Sequence, residues 1–277
     1  MPNSTLKKQS ILITGCSTGI GLETALLLKE KGLLVFATAR KKEDVQKLKQ
    51  LGLNSFLLDV TKKETITTTL NEILKITNDT LDIVFNNAGF GQPGAIEDLP
   101  TNILRKQFET NVFGLHELTL QILPIMKAQG YGKIIQHSSV LGFVSLKLRG
   151  AYNASKYAIE GLTDTLRLEL KNTNISVSLL NTGPVISEFR NNAKQKLKEN
   201  IDCENSRFKQ SYNKSLEANK SDVPFTLEAN AVANIVLKII NSKAPKPRYY
   251  ITKATYILGF AKRILSTSNL DKILEKI

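Results

Sequence analysis

The sequence predicts an α/β protein, a single domain whose doubly wound parallel sheet is flanked by helices. Two observations on the sequence and one general rule support this prediction. Short β-branched or leucine-rich runs alternate with amphipathic stretches as far as about residue 250. Parallel strands joined by helices cross over with one hand, which produces the double winding. No internal repeat and no Pro-, Gly- or Ser-rich linker divides the 277 residues.

Seven strands and six helices fill this pattern. The strands are the short apolar runs, predicted at Ser10–Thr14, Leu33–Thr38, Ser55–Leu58, Asp82–Phe85, Gly132–Ser138, Ile175–Leu180 and Arg248–Ile251. The helices are the amphipathic stretches between them, predicted at Ile20–Lys31, Lys42–Leu51, Lys62–Thr77, Asn102–Lys127, Tyr152–Leu170 and Thr226–Asn241.

Two regions stand outside the alternation. A polar, lysine-rich insert runs from about Ser187 to Ser221, within a loop region that we bound at residues 185–225. A helical tail follows the last strand. We therefore divide the chain into a sheet domain, residues 1–251, and an amphipathic tail, residues 252–277.

The composition is that of an ordinary globular protein. Hydrophobic residues make up 42% and charged residues 23%, which argues against disorder, collagen or a coiled coil. An excess of 38 basic over 25 acidic residues gives a net charge of +13 and favours anionic partners. Nucleic acid is not expected among them, because there is no zinc-finger spacing, no RNA-binding motif and only 6% aromatic residues.

The chain carries few residues suited to metals or disulfides. Two distant cysteines, Cys16 and Cys203, and two histidines cannot supply a zinc cluster or a disulfide framework, so no metal site is expected. No run approaches the roughly 18 apolar residues of a membrane span, and the first nine residues do not lead into a secretory signal. A cytoplasmic protein is expected.

A glycine-rich turn follows the first strand. Thr14 to Gly21 reads as a strand end, a tight turn and a helix start. Glycines let the backbone approach a pyrophosphate, and the helix N-terminus stabilises its charge. Glycines also collect in ordinary tight turns, but the position after the first strand favours dinucleotide binding. The binding residues would be Gly15, Ser17, Thr18, Gly19, Ile20 and Gly21.

The end of the second strand indicates which dinucleotide binds. NAD-preferring folds place an acidic residue here to accept from the ribose 2′-hydroxyl. This chain has Ala39 followed by Arg40, and a guanidinium can grip a 2′-phosphate. NADP, as NADPH, is therefore predicted over NAD. The alternative is that Arg40 and Lys41 only open a solvent-exposed helix.

Tyr152 and Lys156 lie four residues apart, a spacing that puts both side chains on one helix face. A free tyrosine has a pKa near 10, and a nearby ammonium favours the phenolate, so Tyr152 is a candidate general acid/base. Ser139 follows the fifth strand, where ligand-facing groups project in open α/β sheets, and its hydroxyl can polarise a carbonyl. Taken singly, each of these residues is also compatible with an ordinary helix or strand end.

Together these motifs resemble the short-chain dehydrogenase/reductase family, across nearly the whole chain. Five agree in order: Thr14 to Gly21, Asp59 after the third strand, Asn86 to Gly89, Asn111 within a helix, and Ser139 with Tyr152 and Lys156. The resemblance implies a Rossmann fold and hydride transfer between a nicotinamide and a carbonyl or carbinol carbon. The implied catalytic residues are Asn111, which steadies a relay water, Ser139, Tyr152 and Lys156.

The same resemblance implies further cofactor contacts. Asp59 would bond the adenine, Asn87 would lie along the cofactor, and Lys156 would bond the nicotinamide ribose. Thr182 replaces the proline usual after the sixth strand, and Ser187 stands at the position of the hydroxyl that meets the carboxamide. Besides the glycine loop and Arg40, the expected cofactor residues are Asp59, Val60, Asn87, Ala88, Gly89, Tyr152, Lys156, Val185 and Ser187.

The loops beyond the strand ends are mostly apolar, which predicts a lipophilic ketone or aldehyde that NADPH reduces to an alcohol. The expected substrate contacts are Phe90, Ser139, Leu141, Phe143, Tyr152 and Phe189. Several loop stretches look similar to the branch that contains 17β-hydroxysteroid and retinol dehydrogenases. The alternative from another class is a dinucleotide-sensing protein without catalysis.

The tail carries two apolar sets at helical spacing, with Lys262 and Arg263 beside the first. It is compatible with packing on the domain, shielding the pocket, joining a subunit, or lying on an anionic membrane as a peripheral contact. Homo-oligomers are common in the resembled family, so self-association is an expectation. The apolar sets are Ile257, Phe260, Ala261, Ile264 and Leu265, then Leu270, Ile273, Leu274 and Ile277.

Overall fold

The computed structural model describes residues 8–217 and 223–277. Seven parallel strands form one sheet in the order β3-β2-β1-β4-β5-β6-β7, which confirms the predicted doubly wound sheet. The strands are β1 Ser10–Ile13, β2 Leu34–Ala39, β3 Asn54–Leu57, β4 Ile83–Asn86, β5 Gly132–Ser139, β6 Ile175–Thr182 and β7 Arg248–Tyr250.

Helices connect the strands and extend beyond the last of them. They are α1 Gly19–Glu30, α2 Lys42–Gln50, α3 Lys63–Thr77, α4 Thr101–Phe108, α5 Leu115–Gln129, α6 Gly150–Glu169, α7 Phe189–Asn200, α8 Lys209–Glu217, α9 Ala229–Asn241, α10 Lys253–Ile264 and α11 Thr267–Leu274. Short 3₁₀ turns lie at Ile96–Asp98 and Val140–Gly142.

The core lies on both faces of the sheet, as expected for parallel strands with helices on either side. The central strands β1 and β4 are buried along their whole length. Leu28 of α1 and Val232 of α9 pack on one face, while Ile66 of α3 and Leu118 of α5 pack on the other. The apolar alternation that predicted the strands thus reflects burial from both sides.

The long helix predicted at Asn102–Lys127 is interrupted. A π-helical turn, Glu109–Gly114, separates α4 from α5 and carries Asn111. Gly114 lies against the loop that follows β3. A Cβ added to Gly114 would come within 2.7 Å of the carbonyl oxygen of Val60 in that loop. The wider turn has no signal in the 3.6-residue pattern, because it depends on contacts with other loops.

The lysine-rich insert is also more ordered than a loop. Its described part contains α7 and α8, anchored by the buried Tyr212. The Tyr212 hydroxyl accepts a hydrogen bond from the Ala95 amide at 2.8 Å and donates one to Asp98 at 2.5 Å. The predicted stretch 218–221 lies outside the described residues. The helix predicted from Thr226 begins at Ala229, because Leu227 pairs with Val185 in a parallel bridge.

The tail packs on the domain through both of its helices. Leu270 and Leu274 of α11 are buried against Val140, Leu141 and Val144, which follow β5. Within residues 8–217 and 223–277, no helix is both long and apolar enough to cross a bilayer.

Because Leu270 is 4% exposed in the tail cluster, Leu270→Ala should lower the free energy of unfolding by about 2–5 kcal/mol. Leu168→Ala is the control, since Leu168 is 67% exposed and loses little on truncation. Urea denaturation measures both. Equal midpoints for the two variants would contradict the packing of the tail.

Candidate active site

The candidate site lies at the carboxyl ends of β1 and β4, where the strand order reverses. A ligand crevice forms at this position in open α/β sheets. The loops that follow the two strands are tied together at the Thr14 hydroxyl. Its oxygen accepts hydrogen bonds from the Asn87 and Ala88 amides, both at 3.0 Å. The glycine turn and the Asn86 to Gly89 motif are therefore neighbours.

The glycine turn has the shape that a dinucleotide pyrophosphate requires. Gly15 and Gly19 adopt positive φ angles of 72° and 59°, and a Cβ on Gly21 would overlap the Gly15 carbonyl oxygen. Thr18, the N-cap of α1, makes no side-chain capping hydrogen bond, and both Thr18 and Ser17 are exposed. The turn thus presents the start of a twelve-residue helix to solvent and fits an anionic group.

Asn87 braces this turn. Its amide nitrogen donates to the carbonyls of Thr14 at 2.9 Å and Gly15 at 3.1 Å. Its oxygen lies 2.9 Å from Nδ1 of His137, whose Nε2 lies 3.0 Å from the Thr182 hydroxyl. Burial and the nearby Lys156 lower the pKa of His137 to about 3, so the ring stays neutral at physiological pH.

Three predicted cofactor residues follow strands β2 and β3. Arg40 directly follows the last residue of β2, and its side chain is exposed. Asp59 accepts hydrogen bonds from the amide and hydroxyl of Thr61, at 3.0 and 2.8 Å. Val60 is buried against Gly114.

The loop after β6 reaches the glycine turn from the other side. Val185 is held by its bridge to Leu227. The Ser187 Cβ lies 3.0 Å from the position that a Cβ on Gly19 would occupy. The Ser187 hydroxyl accepts from the Phe189 amide at 3.3 Å. Ser187 is therefore placed beside the glycine turn.

Tyr152 and Lys156 share one face of α6, as the spacing predicts. The Lys156 ammonium lies 5.6 Å from the centre of the Tyr152 ring and donates to the His137 carbonyl at 2.6 Å. Lys156 is only 6% exposed. Burial lowers the pKa of its ammonium to about 8, against the opposing charge of Glu160.

The expectation that Lys156 lowers the pKa of Tyr152 is wrong for this structure. Burial instead raises the pKa of Tyr152 to about 12, and a hydrogen bond with Ser139 only partly opposes this. Desolvation penalises the phenolate more than the neighbouring groups stabilise it. Tyr152 therefore keeps its proton at neutral pH, the form that can donate to a substrate oxygen.

Asn111 and Ser139 flank this pair. Asn111 is buried, and its side chain exchanges two hydrogen bonds with the backbone of Phe90, at 3.0 and 3.1 Å. Its amide also donates to Ser155 at 3.1 Å. The Ser139 hydroxyl accepts from the Leu141 amide at 3.1 Å and donates to the Thr182 carbonyl at 3.3 Å. The π turn thus holds the Phe90 loop against α6, and Gly89 fits beside Asn111.

Sequence analysis missed Glu160, a buried carboxylate one turn beyond Lys156 on α6. Its partners come from three strands: the Ser138 hydroxyl of β5, the Asn181 amide of β6 at 2.7 Å, and the Arg248 guanidinium of β7 at 3.1 and 3.2 Å. Its negative charge raises the pKa of Lys156 and so opposes the lowering caused by burial. Its spacing of four residues from Lys156 could have pointed to it.

The substrate side of the site is apolar. The ring of Phe189 meets Tyr152 edge-on, with centroids 5.4 Å apart, and Phe90 is partly buried nearby on the loop that Asn111 holds. Leu141 and Phe143 share a hydrophobic cluster with Tyr152. The cluster is completed by tail residues Leu258, Ala261, Leu265, Leu270 and Leu274. The tail therefore forms one side of this apolar region.

Cys16 lies in the glycine turn but has no nucleophilic character. Its side chain is fully buried and its thiol contacts the Ile13 carbonyl at 3.3 Å. Burial raises the pKa of Cys16 to about 12, so the thiol stays protonated.

A doubly wound sheet with a glycine turn at the β1/β4 switch point, beside a Tyr–Lys pair whose lysine is buried, defines an oxidoreductase that uses a nicotinamide dinucleotide. A family model described as short chain dehydrogenase matches residues 9–198. The chain belongs to that family.

Relatives extend the match beyond this segment. The oxidoreductase YbbO of Escherichia coli K12 is 39% identical over 268 residues, covering 97% of this chain and 94% of YbbO. An NADPH-dependent 3-dehydrocapnine reductase of Ornithobacterium rhinotracheale is 31% identical over 274 residues, covering 96% and 95%. Human retinol dehydrogenase 8 is 37% identical over 191 residues, covering 65% of this chain and 60% of that protein. The last match supports the predicted family branch.

Solved structures share the fold. A short-chain dehydrogenase from Streptomyces avermitilis aligns with a TM-score of 0.76 at 24% identity, covering 98% of this chain and 95% of that one. A serine dehydrogenase complexed with NADP+ aligns at 0.75 and 24%, covering 89% and 96%. A short-chain dehydrogenase from Burkholderia phymatum in complex with NAD aligns at 0.75 and 24%, covering 93% and 92%.

Substitution of the most confined glycine of the turn tests its geometry. Because a Cβ at position 21 would overlap the Gly15 carbonyl, Gly21→Ala should distort the turn and weaken dinucleotide binding by about tenfold or more. Gly161→Ala is the control, since Gly161 has helical backbone in α6 and nothing lies within 4 Å of a Cβ there. Isothermal titration with NADPH measures both, and equal affinity in the Gly21 variant would contradict this geometry.

Proposed function

We propose that the protein reduces a lipophilic ketone or aldehyde to its alcohol with NADPH, and that Tyr152 is the proton donor. The observation that carries the proposal is the placement of Tyr152: a partly buried phenol on the same helix face as a buried ammonium, with an apolar wall beside it. A protonated tyrosine suits the reductive direction. Cells also keep NADPH largely reduced.

The proposed preference for NADPH rests on the end of β2. Ala39 offers no acceptor for a ribose 2′-hydroxyl, while the exposed guanidinium of Arg40 can grip a 2′-phosphate. The glycine turn would hold the pyrophosphate, Asp59 the adenine, Lys156 the nicotinamide ribose and Ser187 the carboxamide. When bound, NADPH supplies the hydride. The NADPH-dependent relative agrees with this choice.

The other proposed catalytic roles belong to four side chains. The Ser139 hydroxyl would turn from the Thr182 carbonyl to the substrate oxygen and polarise the carbonyl. Tyr152 would then donate its phenolic proton to that oxygen, and the hydride that completes the alcohol would come from the bound NADPH. The Lys156 ammonium stabilises the phenolate that remains. Asn111 holds the Phe90 loop, and in the family scheme it also steadies the water that returns the proton.

The proposed substrate class rests on the apolar side of the site. Phe90, Leu141, Phe143 and Phe189 offer few groups that could pair a polar substrate. The names of two relatives, a 3-dehydrocapnine reductase and a retinol dehydrogenase, fit lipophilic carbonyl compounds and alcohols. A panel of retinal, steroid ketones, aliphatic aldehydes and quinones, followed by NADPH absorbance, tests this class. Faster turnover of polar carbonyls than of lipophilic ones would contradict it.

Tyr152→Phe should lower kcat for carbonyl reduction by about 10²–10⁴-fold, because it removes the proton donor and little else. NADPH affinity should stay within about twofold. The control is Tyr157→Phe, because Tyr157 is 39% exposed and is not one of the proposed catalytic residues. Steady-state kinetics and fluorescence titration measure the two effects. Activity that survives in Tyr152→Phe contradicts this role, and an inactive wild type that binds NADPH would favour a sensing protein.

Arg40→Glu should raise KM for NADPH by about tenfold or more, since a carboxylate repels the 2′-phosphate. KM for NADH should change much less. The control, Lys49→Glu, changes the charge of an exposed α2 residue elsewhere. An unchanged ratio of the two KM values in Arg40→Glu would remove the assignment.

Carbonyl reduction should fall as pH rises through about 8, because Lys156 loses its proton there. Glu160→Gln removes a negative charge that favours the ammonium, so this alkaline limb should move about one pH unit lower. Glu169→Gln, at the exposed end of α6, is the control. The pH profile of kcat/KM is the measurement. An unmoved limb in Glu160→Gln, with Glu160→Asp also unmoved, would show that Glu160 has only a structural role.

A further inference from the structure

The outer face of α10 is apolar and uncovered in the described chain. Tyr256, Ile257, Phe260 and Ile264 are 59%, 56%, 64% and 61% exposed. Their spacing places them along one stripe of the helix, which we call the α10 ridge. Thr255 and Gly259, on another face, are buried.

The charge of α10 has one sign. Lys253, Lys262 and Arg263 are the only ionisable groups of α10 apart from the Tyr256 phenol, and all three are exposed. The helix therefore combines four exposed apolar side chains with three cations and no anion. This combination is typical of helices that lie in the interface of an anionic bilayer, with apolar groups below the headgroups and cations among them.

The ridge is continuous with the apolar side of the active site. Tyr256 meets Tyr250 at a centroid distance of 5.4 Å, and Tyr250 meets Phe143 at 5.5 Å. Phe143 and Tyr152 belong to one hydrophobic cluster, which also includes Leu258 of α10. One side of α10 thus faces the substrate region while its outer face carries the ridge.

We propose that the α10 ridge docks on an anionic lipid bilayer and brings the apolar side of the active site to the membrane surface. The delivery of a lipophilic carbonyl compound from the bilayer rests on the proposed function, whereas the docking itself does not. A second copy of the chain is a poorer occupant. A two-fold contact through the ridge would bring the three cations of α10 near their own copies, where like charges repel.

Vesicle flotation tests the docking. The full chain should float with phosphatidylcholine vesicles that contain phosphatidylglycerol and remain behind with phosphatidylcholine alone. Raising salt from about 0.1 M to about 1 M should reduce flotation, because it screens the cations. Equal flotation with both vesicle types, or none with either, would overturn the proposal.

Two double variants locate the surface. Phe260→Ser with Ile264→Ser should lower the bound fraction by about tenfold, since two apolar side chains no longer enter the bilayer. Lys253→Glu with Arg263→Glu should abolish the preference for anionic lipid, because these two cations flank the ridge. The matched control is Leu120→Ser with Leu168→Ser, because these side chains are 49% and 67% exposed on other helices. Thermal melting confirms that each variant folds.

Three further results would each contradict docking of the α10 ridge on a bilayer. Unchanged flotation in the ridge variant, or an equal loss in the control variant, would overturn the proposal. So would light scattering that shows a dimer which the ridge substitutions dissociate, because a second copy would then cover the ridge.

NADPH oxidation with a water-soluble aldehyde should persist in the ridge variant, while turnover of vesicle-dissolved retinal should fall severalfold. A wild type that floats but reduces no carbonyl compound would contradict the proposed function and leave the docking supported.

Discussion

The buried ammonium of Lys156 is the group on which the geometry of the site depends. A cation removed from water needs compensating partners, and here these are the His137 carbonyl, the Tyr152 ring and the charge of Glu160. The first comes from β5 and the other two from α6. The sheet and the helix must therefore pack in one relative position for the ammonium to be satisfied. That same position sets Tyr152 beside the strand ends.

Glu160 extends this constraint across the sheet. Its carboxylate is shared by Ser138, Asn181 and Arg248, one from each of three neighbouring strands. Arg248 belongs to β7, the last strand before the tail. The outermost strand is thus tied to the helix that carries the tyrosine. Both oxygens of the Glu160 carboxylate are hydrogen-bonded, and a group tied to three strands resists displacement, which is the condition for a proton donor held in one place.

Apolar packing plays the corresponding part on the substrate side. The loop after β5 is hydrogen-bonded through Ser139, and its side chains are buried under α10 and α11. The tail therefore supports the wall of the site from outside, although it lies more than a hundred residues later in the chain. Its inner side stabilises the fold, and its outer side remains available for a surface.

The sequence by itself determined the sheet, its crossover helices, the glycine turn and the shared face of Tyr152 and Lys156, because hydrophobic periodicity and helical spacing are local. Tertiary structure alone decided the protonation of Tyr152, the partners of Glu160, the π turn at Asn111 and the packing of the insert and tail. These depend on which distant atoms exclude water or supply hydrogen bonds. Desolvation reversed the predicted shift at Tyr152, since one turn of helix gives proximity to a cation but not the dielectric around it.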